Sequence, residues 1–174
     1  GEDIRTNLLE EIILSKNLSL KKYQLKSGFY FGINNLFPGS GFLDFYDDNI
    51  IILSSRGVLA FKKDLENNEE NLKQIKNNIH EFLDHTSTEK WFSLKDIFIF
   101  KNKVFISYTE EIQKDCWNIA ILFAEMNFRN MEFKKNFSSN ECIHSTNNID
   151  QEFNASQSGG RIVYFDDNHI LLSI

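Results

Sequence analysis

The side chains of this 174-residue chain best suited to metal binding or nucleophilic chemistry are four histidines and two cysteines. None of the histidines has the HxxxH or HxH spacing, with an acidic third ligand, that is typical of a metal site. Cys116 and Cys142 stand too far apart in sequence for a CxxC redox or zinc motif. We therefore expect no metal site and scattered surface histidines, which are His80, His85, His144 and His169.

Acidic pairs and glycine clusters supply the other candidates. Asp47-Asp48 and Asp166-Asp167 resemble calcium-binding acids, but each pair falls in a predicted tight turn, where Asp is common for conformational reasons. Gly39-Ser40-Gly41 and Gly159-Gly160 neither open a predicted helix nor precede a Lys-Ser/Thr pair, so a phosphate-binding loop is not indicated. No Gly-x-Ser-x-Gly sequence is present, so a serine hydrolase is not expected. Arg161 follows two glycines and enters an apolar strand, which fits either a pocket residue or a structural clamp.

Charge and length limit the class of protein. The net charge is −6, and affinity for nucleic acid depends largely on Lys and Arg, so we expect no nucleic-acid partner. Apolar runs have the length of strands, which predicts no membrane span, and the opening GEDIRTNLLEE lacks the features of a signal peptide. The length suits one domain with a substantial core.

Three segments repeat one pattern: FYDDNIIILSS from Phe45, IFKNKVFISY from Ile99 and YFDDNHILLSI from Tyr164. When they are aligned on an asparagine, apolar residues follow at alternate positions and a serine follows five positions later. Asn tolerates the left-handed backbone of tight turns, so the pattern predicts three equivalent hairpins. The alternative is that any all-β protein repeats a turn followed by a strand. The aligned residues are Asn49, Asn102 and Asn168, with Ser54, Ser107 and Ser173.

The segments around these repeats predict further elements. Glu69 to Asp84 places five apolar residues on one helical face, so we predict a helix inserted between sheets. Glu2 to Lys26 is predicted to begin as a helix and to continue into a strand. We expect residues 1–38 to lead into one β region that covers residues 39–174. The predicted strands are Lys22 to Leu25, Gly57 to Lys62, Trp117 to Met126 and Met131 to Phe137.

Cys116 and Cys142 are equidistant in sequence from Arg129, which lies between two of these strands. If the turn centres on Arg129, the cysteines are cross-strand neighbours with Cβ atoms about 4.5–5.5 Å apart. A disulfide needs slightly closer Cβ atoms. The two residues therefore either form a disulfide or remain separate, half-buried thiols.

The segment QSGGRIVYFDDNHILLSI resembles part of the soluble quinoprotein glucose/sorbosone dehydrogenase family. In that family a Gly-Arg motif, preceded by a catalytic His, opens a strand, and a hairpin closed by Gly-Asp follows. Here Ser158-Gly159-Gly160-Arg161 matches the Gly-Arg motif, and Phe165 to Ser173 matches the hairpin. LKDIFIFKNKVFISYTEE resembles the preceding blade, and weaker similarity covers about Gly39 to Ile174.

This resemblance implies a six-bladed β-propeller, often periplasmic or secreted, that oxidises sugars with pyrroloquinoline quinone (PQQ) and calcium. Ser156 or Gln157 stands at the position of the catalytic His, and neither is a competent base at neutral pH. The resemblance makes Arg161 and Gln157 the residues of a substrate or cofactor pocket. Ile174 stands where the family has its Gly-Asp, so we expect about three blades, the N-terminal half of such a propeller.

The expected fold is therefore mainly β, a partial propeller with one inserted helix. The expected function is that of a sugar-dehydrogenase-like segment that is not catalytic by itself and binds PQQ and calcium only if a second half completes it. Expected partners are that second half, or another copy joined through open blade edges, and a carbohydrate. The alternatives are a non-catalytic binding or assembly propeller and a different all-β interaction module, such as a sandwich.

Overall fold

The computed structural model describes residues 5–26, 41–63, 67, 72–83, 94–144, 148–149 and 159–174. This part of the chain is mainly β, and none of its helices is long and apolar enough to cross a membrane. In chain order the elements are β1 (Arg5–Ser15), β2 (Leu18–Lys26), β3 (Gly41–Tyr46), β4 (Asn49–Ser54), β5 (Leu59–Lys62), β6 (Lys73–Asn77), α1 (Ile79–Leu83), β7 (Leu94–Phe100), β8 (Lys103–Gln113), β9 (Cys116–Glu125), β10 (Asn130–Met131), β11 (Lys134–Ser138), β12 (Ile162–Asp166) and β13 (His169–Leu172).

Two sheets form most of the described fold. The first has the order β3-β4-β5-β6, all antiparallel, and β10 extends it as a short parallel strand beside β6. The second has the order β7-β8-β9-β11 and is antiparallel throughout. Two-residue turns join several of these strands, which makes sequence neighbours pair as hairpins. β12 and β13 form a separate antiparallel pair.

The main core lies between the two large sheets. Alternate side chains of β4, β5 and β6 meet alternate side chains of β7, β8 and β9, and α1 adds two residues. Burying each large aliphatic side chain contributes about 1.5–3 kcal/mol to folding. The largest contributors are Ile51, Leu53, Leu59, Ile75, Ile79, Leu83, Leu94, Ile97, Val104, Ile106, Tyr108, Leu122, Met131 and Phe133.

The predicted inserted helix over Glu69 to Asp84 is wrong for most of its described residues, which are 72–83. β6 pairs with β5, with Ile75 opposite Leu59, and within residues 72–83 only the five of α1 are helical. The side chain of Asn77 accepts a hydrogen bond from the backbone N–H of Ile79 at 3.0 Å and so turns the chain from strand to helix. Ile75 and Ile79 are both fully buried in the same core. The helical spacing therefore arises from a strand and a helical turn that meet one core.

The predicted N-terminal helix is also wrong, because β1 and β2 form an antiparallel hairpin. The apolar spacing of residues 8–13 therefore falls on a strand, which has a bulge between Leu8 and Glu10. Ile12 and Ile13 are exposed, so no buried stripe confirms the helical pattern. The strand predicted at Lys22 to Leu25 is confirmed within β2.

The three repeated segments fold as the hairpins β3–β4, β7–β8 and β12–β13. Asn102 and Asn168 occupy the second position of their turns, but Asn49 is the first residue of β4, so the three positions are not equivalent. The positive φ angles of the first two turns fall on Asp47 (49°) and Lys101 (56°), not on the asparagines. The prediction of three hairpins is confirmed, and the prediction that Asn supplies the left-handed residue is wrong.

Cys116 and Cys142 form a disulfide, with Cα atoms 5.3 Å apart, as one of the two sequence-based alternatives predicted. β9 pairs with β11 in nearly the predicted register. The connection is not a tight turn about Arg129, however, because β10 leaves to join β6 in the other sheet. The predicted strand at Met131 to Phe137 is therefore divided between two sheets, since Met131 is buried in the core between them.

Candidate functional site

A cleft of about 370 Å³ opens where β3, β7 and β12, the first strands of the three antiparallel units, lie side by side. Its lining consists of Gly41–Asp44, Asp96–Phe98, Arg161 and Ile162. The exposed Arg161 is the residue that the sequence singled out as a pocket residue. The structure places it at the cleft, while its role in binding stays a prediction.

The backbone around Arg161 is held by a set of hydrogen bonds. The hydroxyl of Ser173 accepts the N–H groups of Gly160 (3.1 Å) and Arg161 (3.0 Å), and the carbonyl of Arg161 accepts the N–H of Ser173. The hydroxyl of Ser107 donates to the Gly160 carbonyl. Gly160 has a φ of 106°, a region that other residues rarely adopt. The repeated serines therefore anchor backbone, and Gly160 provides the conformation that leads Arg161 to the cleft.

Two aspartates in the cleft wall join neighbouring first strands. Asp44 of β3 accepts its own strand's Phe45 N–H (2.7 Å) with Oδ1 and the Ile99 N–H of β7 (2.6 Å) with Oδ2. Asp96 of β7 repeats this arrangement with the Ile97 N–H (3.0 Å) and the Ile162 N–H of β12 (2.9 Å). Carboxylates that accept backbone N–H groups make strong, charge-assisted bonds. These two side chains therefore fasten each unit to the next.

The remaining sequence-based candidates lie elsewhere. Ser156, Gln157 and His85 fall outside the described residues. His80 lies on the exposed side of α1. His169 binds Asp166 through Nδ1 at 2.7 Å, across the β12–β13 turn. The pKa of Asp166 is lowered by hydrogen bonds from the Asn168 N–H and from His169. The acidic pair at this turn thus has the conformational role that the sequence predicted.

The described lining of the cleft does not fit PQQ or calcium. PQQ carries several carboxylates. The described lining offers them one positive charge, the guanidinium of Arg161, and two negative charges that would repel them, the carboxylates of Asp44 and Asp96. Those two carboxylates are the only acidic side chains of the described lining, whereas calcium takes about 6–8 oxygen ligands. We therefore derive no oxidation step from this cleft.

A polar cluster that the sequence analysis missed surrounds Glu110. Glu110 accepts a hydrogen bond from Lys135 Nζ at 2.7 Å and weaker ones from the hydroxyls of Tyr108 and Ser138. The side-chain nitrogen of Asn118 donates to Ser138 Oγ at 2.7 Å. Burial, and then the nearby Glu110 carboxylate, raise the pKa of Tyr108. The cluster joins β8, β9 and β11, and only the strand register could have revealed it.

Comparison of the chain with known protein families, with curated proteins and with solved structures gave no significant match.

Proposed function

We propose that this chain forms consecutive blades of a β-propeller and acts as a non-catalytic assembly unit, completed by a second copy or by another polypeptide. The observation that carries the proposal is the side-by-side placement of β3, β7 and β12, bridged by Asp44 and Asp96. Propeller blades are antiparallel sheets arranged radially, with their first strands around a central channel. In this assignment the cleft at Arg161 is part of that channel.

The faces of the sheets support the assembly role. The middle sheet buries apolar residues on both faces, including Ile119 and Ile121 on the face away from the main core. The outward faces of the two flanking units are apolar but exposed. Leu43 and Phe45 are 63% and 66% exposed on β3, and Val163 and Leu171 are 41% and 50% exposed as an opposite pair on β12 and β13. Exposed apolar sheet faces are typical of interaction surfaces.

Analytical ultracentrifugation at low micromolar concentration tests this assembly. We expect self-association that is weakened when Leu43 and Phe45 are both replaced by Ser. The matched control is Ile112→Ser, which changes an exposed apolar residue of β8 outside these faces. The assembly function would be excluded by two results together. The wild-type chain would be a monomer of about 20 kDa that unfolds cooperatively, and it would form no complex with a separately expressed partner half.

The second candidate is the sugar-dehydrogenase-like segment, and the position of Arg161 at the cleft favours it. In this case the completed propeller would bind a carbohydrate at the cleft, while the chain alone would not oxidise it. Dye reduction by the completed protein with glucose, added PQQ and calcium separates the two candidates, because only a sugar-dehydrogenase-like protein would give turnover. We expect no turnover by this chain above a no-protein control. If the chain does oxidise glucose, the non-catalytic assignment is wrong.

A further inference from the structure

The disulfide has a third potential ligand beside it. The sulfur atoms of Cys116 and Cys142 and a ring nitrogen of His144 all lie within 4.8 Å of one another. Cys116 is buried, Cys142 is half-buried and His144 is exposed. Within the described ranges no other three His, Cys, Asp or Glu side chains approach one another so closely. Two sulfurs and an imidazole are a donor set that suits Zn²⁺.

We propose that the reduced form of this site binds Zn²⁺ through Cys116, Cys142 and His144, with water as a fourth ligand. A dithiol reductant first opens the disulfide: one of its thiolates attacks a cysteine sulfur, and its second thiol completes the exchange. Two electrons pass to the protein, which gains two thiols, and the reductant leaves as its own disulfide. Each thiol then releases one proton to solvent as its thiolate binds the metal, and neutral His144 donates a nitrogen lone pair.

A backbone bridge links these residues as well as the disulfide. Trp117 and Ile143 exchange two hydrogen bonds, N–H to O=C, at 3.0 and 2.8 Å. Cys116 directly precedes Trp117, while Cys142 and His144 flank Ile143. The bridge is therefore a second link, independent of the sulfur–sulfur bond, between the backbone segments that carry all three side chains. This is the preorganisation that a metal site needs.

The separations also suit tetrahedral zinc. Zn–S bonds of about 2.3 Å place two sulfurs roughly 3.8 Å apart. The two Cα atoms are 5.3 Å apart, so rotation of the cysteine side chains can supply this sulfur separation without backbone movement. The exposed side chain of His144 is free to rotate towards the metal. The metal would then hold residues 142–144 to β9 under reducing conditions, as the disulfide does under oxidising ones.

Cobalt titration tests the site. The full chain is reduced with a phosphine, which does not compete as a thiol ligand, and is titrated with Co²⁺ and then Zn²⁺. We expect one equivalent of Co²⁺ with thiolate-to-cobalt charge-transfer absorption, displaced by Zn²⁺. His144→Ala should weaken Co²⁺ binding at least about tenfold. The matched control His80→Ala, which changes an exposed histidine on α1, should bind like the wild type.

If the reduced chain unfolds, circular dichroism measures whether metal binding refolds it. In that case metal must restore the β-sheet signal of the wild type but not that of His144→Ala. The proposal is overturned if the reduced chain binds no Co²⁺. It is equally overturned if the oxidised chain binds Co²⁺ as well as the reduced one, or if His144→Ala matches the wild type.

Discussion

A methyl group added to Gly160 would lie 2.4 Å from Cβ of Lys95 and 2.7 Å from its Cγ. Cβ atoms essentially never approach other carbons so closely, and Lys95 Cβ is held by the backbone of the edge of β7, so it cannot move aside alone. The φ of 106° is a second obstacle for any residue with a side chain. We therefore expect Gly160→Ala to weaken the attachment of β12–β13 to β7 and to displace Arg161 from the cleft.

The magnitude follows from adding the two effects. A non-glycine residue in the left-handed region costs about 1–2 kcal/mol. Overpacking of a close contact costs about 1–3 kcal/mol. Gly160→Ala should therefore lower the free energy of unfolding by about 2–5 kcal/mol. If the β12–β13 hairpin detaches from β7 instead, the loss cannot exceed the free energy that the packing of this hairpin contributes.

Urea unfolding followed by circular dichroism measures this loss. Gly41→Ala is the matched control in the same cleft, because its methyl group would meet only the Leu53 carbonyl at 3.2 Å and its φ is not in the positive range. We expect the control to change the free energy of unfolding by less than about 1 kcal/mol. Equal stability of Gly160→Ala and the wild type would refute the reasoning about this turn.

Three further changes test other parts of the fold. Asp96→Asn should destabilise by about 1–3 kcal/mol in urea unfolding, because one carboxylate oxygen becomes an NH₂ group and a backbone N–H loses its acceptor; an unchanged midpoint would contradict the bridging role. Reducing the disulfide with a chelator present should cost about 3 kcal/mol, given its 26-residue separation, and no change in thermal unfolding would count against it. The raised pKa of Tyr108 means that the folded chain keeps a proton that the unfolded chain releases above its ordinary pKa of 10.0. The free energy of unfolding should therefore keep its full value below pH 10 and decrease above it. In Tyr108→Phe this decrease should be smaller when unfolding is measured across the same pH range.

The hairpins could be predicted from sequence because they depend on local pattern. Each pairs a two-residue turn with alternating apolar residues, and both signals lie within about ten residues of chain. Asn49 shows the limit of that pattern. The first turn uses Asp47 and Asp48, one position earlier than the asparagine alignment implied. Propensity identified the turn but not which of three adjacent polar residues would adopt the positive φ.

The two predicted helices failed for a different reason. In β1 the described apolar residues at helical spacing lie on an exposed strand, and in the second segment the spacing runs across the junction between β6 and α1. In the second case the buried Ile75 and Ile79 belong to different elements that share a core. Tertiary pairing decides such cases, because β6 gains hydrogen bonds from β5 that a sequence window cannot represent.

The pairing of the cysteines was predictable and the site around it was not. Symmetry about Arg129 placed Cys116 near Cys142 because β9 and β11 pair almost as a simple hairpin. His144 joins them only because the chain continues past β11 and pairs with β9 again through Ile143. The spacing rules for metal motifs assume ligands on one short loop or helix, so they miss ligands brought together by a long connection between strands.

The adjacency of the three units depends on two carboxylates that carry no recognisable motif. Asp44 and Asp96 each satisfy an N–H of their own strand and one of the following unit, so each unit supplies the acceptor that fixes the position of the next. Such a bridge requires only an aspartate at the edge strand of a unit and an unpaired N–H on its neighbour. The exposed apolar pair Val163 and Leu171 lies on the outward face of the last described unit. The middle sheet, β7-β8-β9-β11, holds both of its neighbours in two ways: through the aspartate bridges at the first strands and through apolar packing on its faces. On the β12–β13 unit Asp166 is instead hydrogen-bonded within its own hairpin, to the Asn168 N–H and to His169. The exposed apolar face alone is therefore the physical basis for expecting another sheet to pack there.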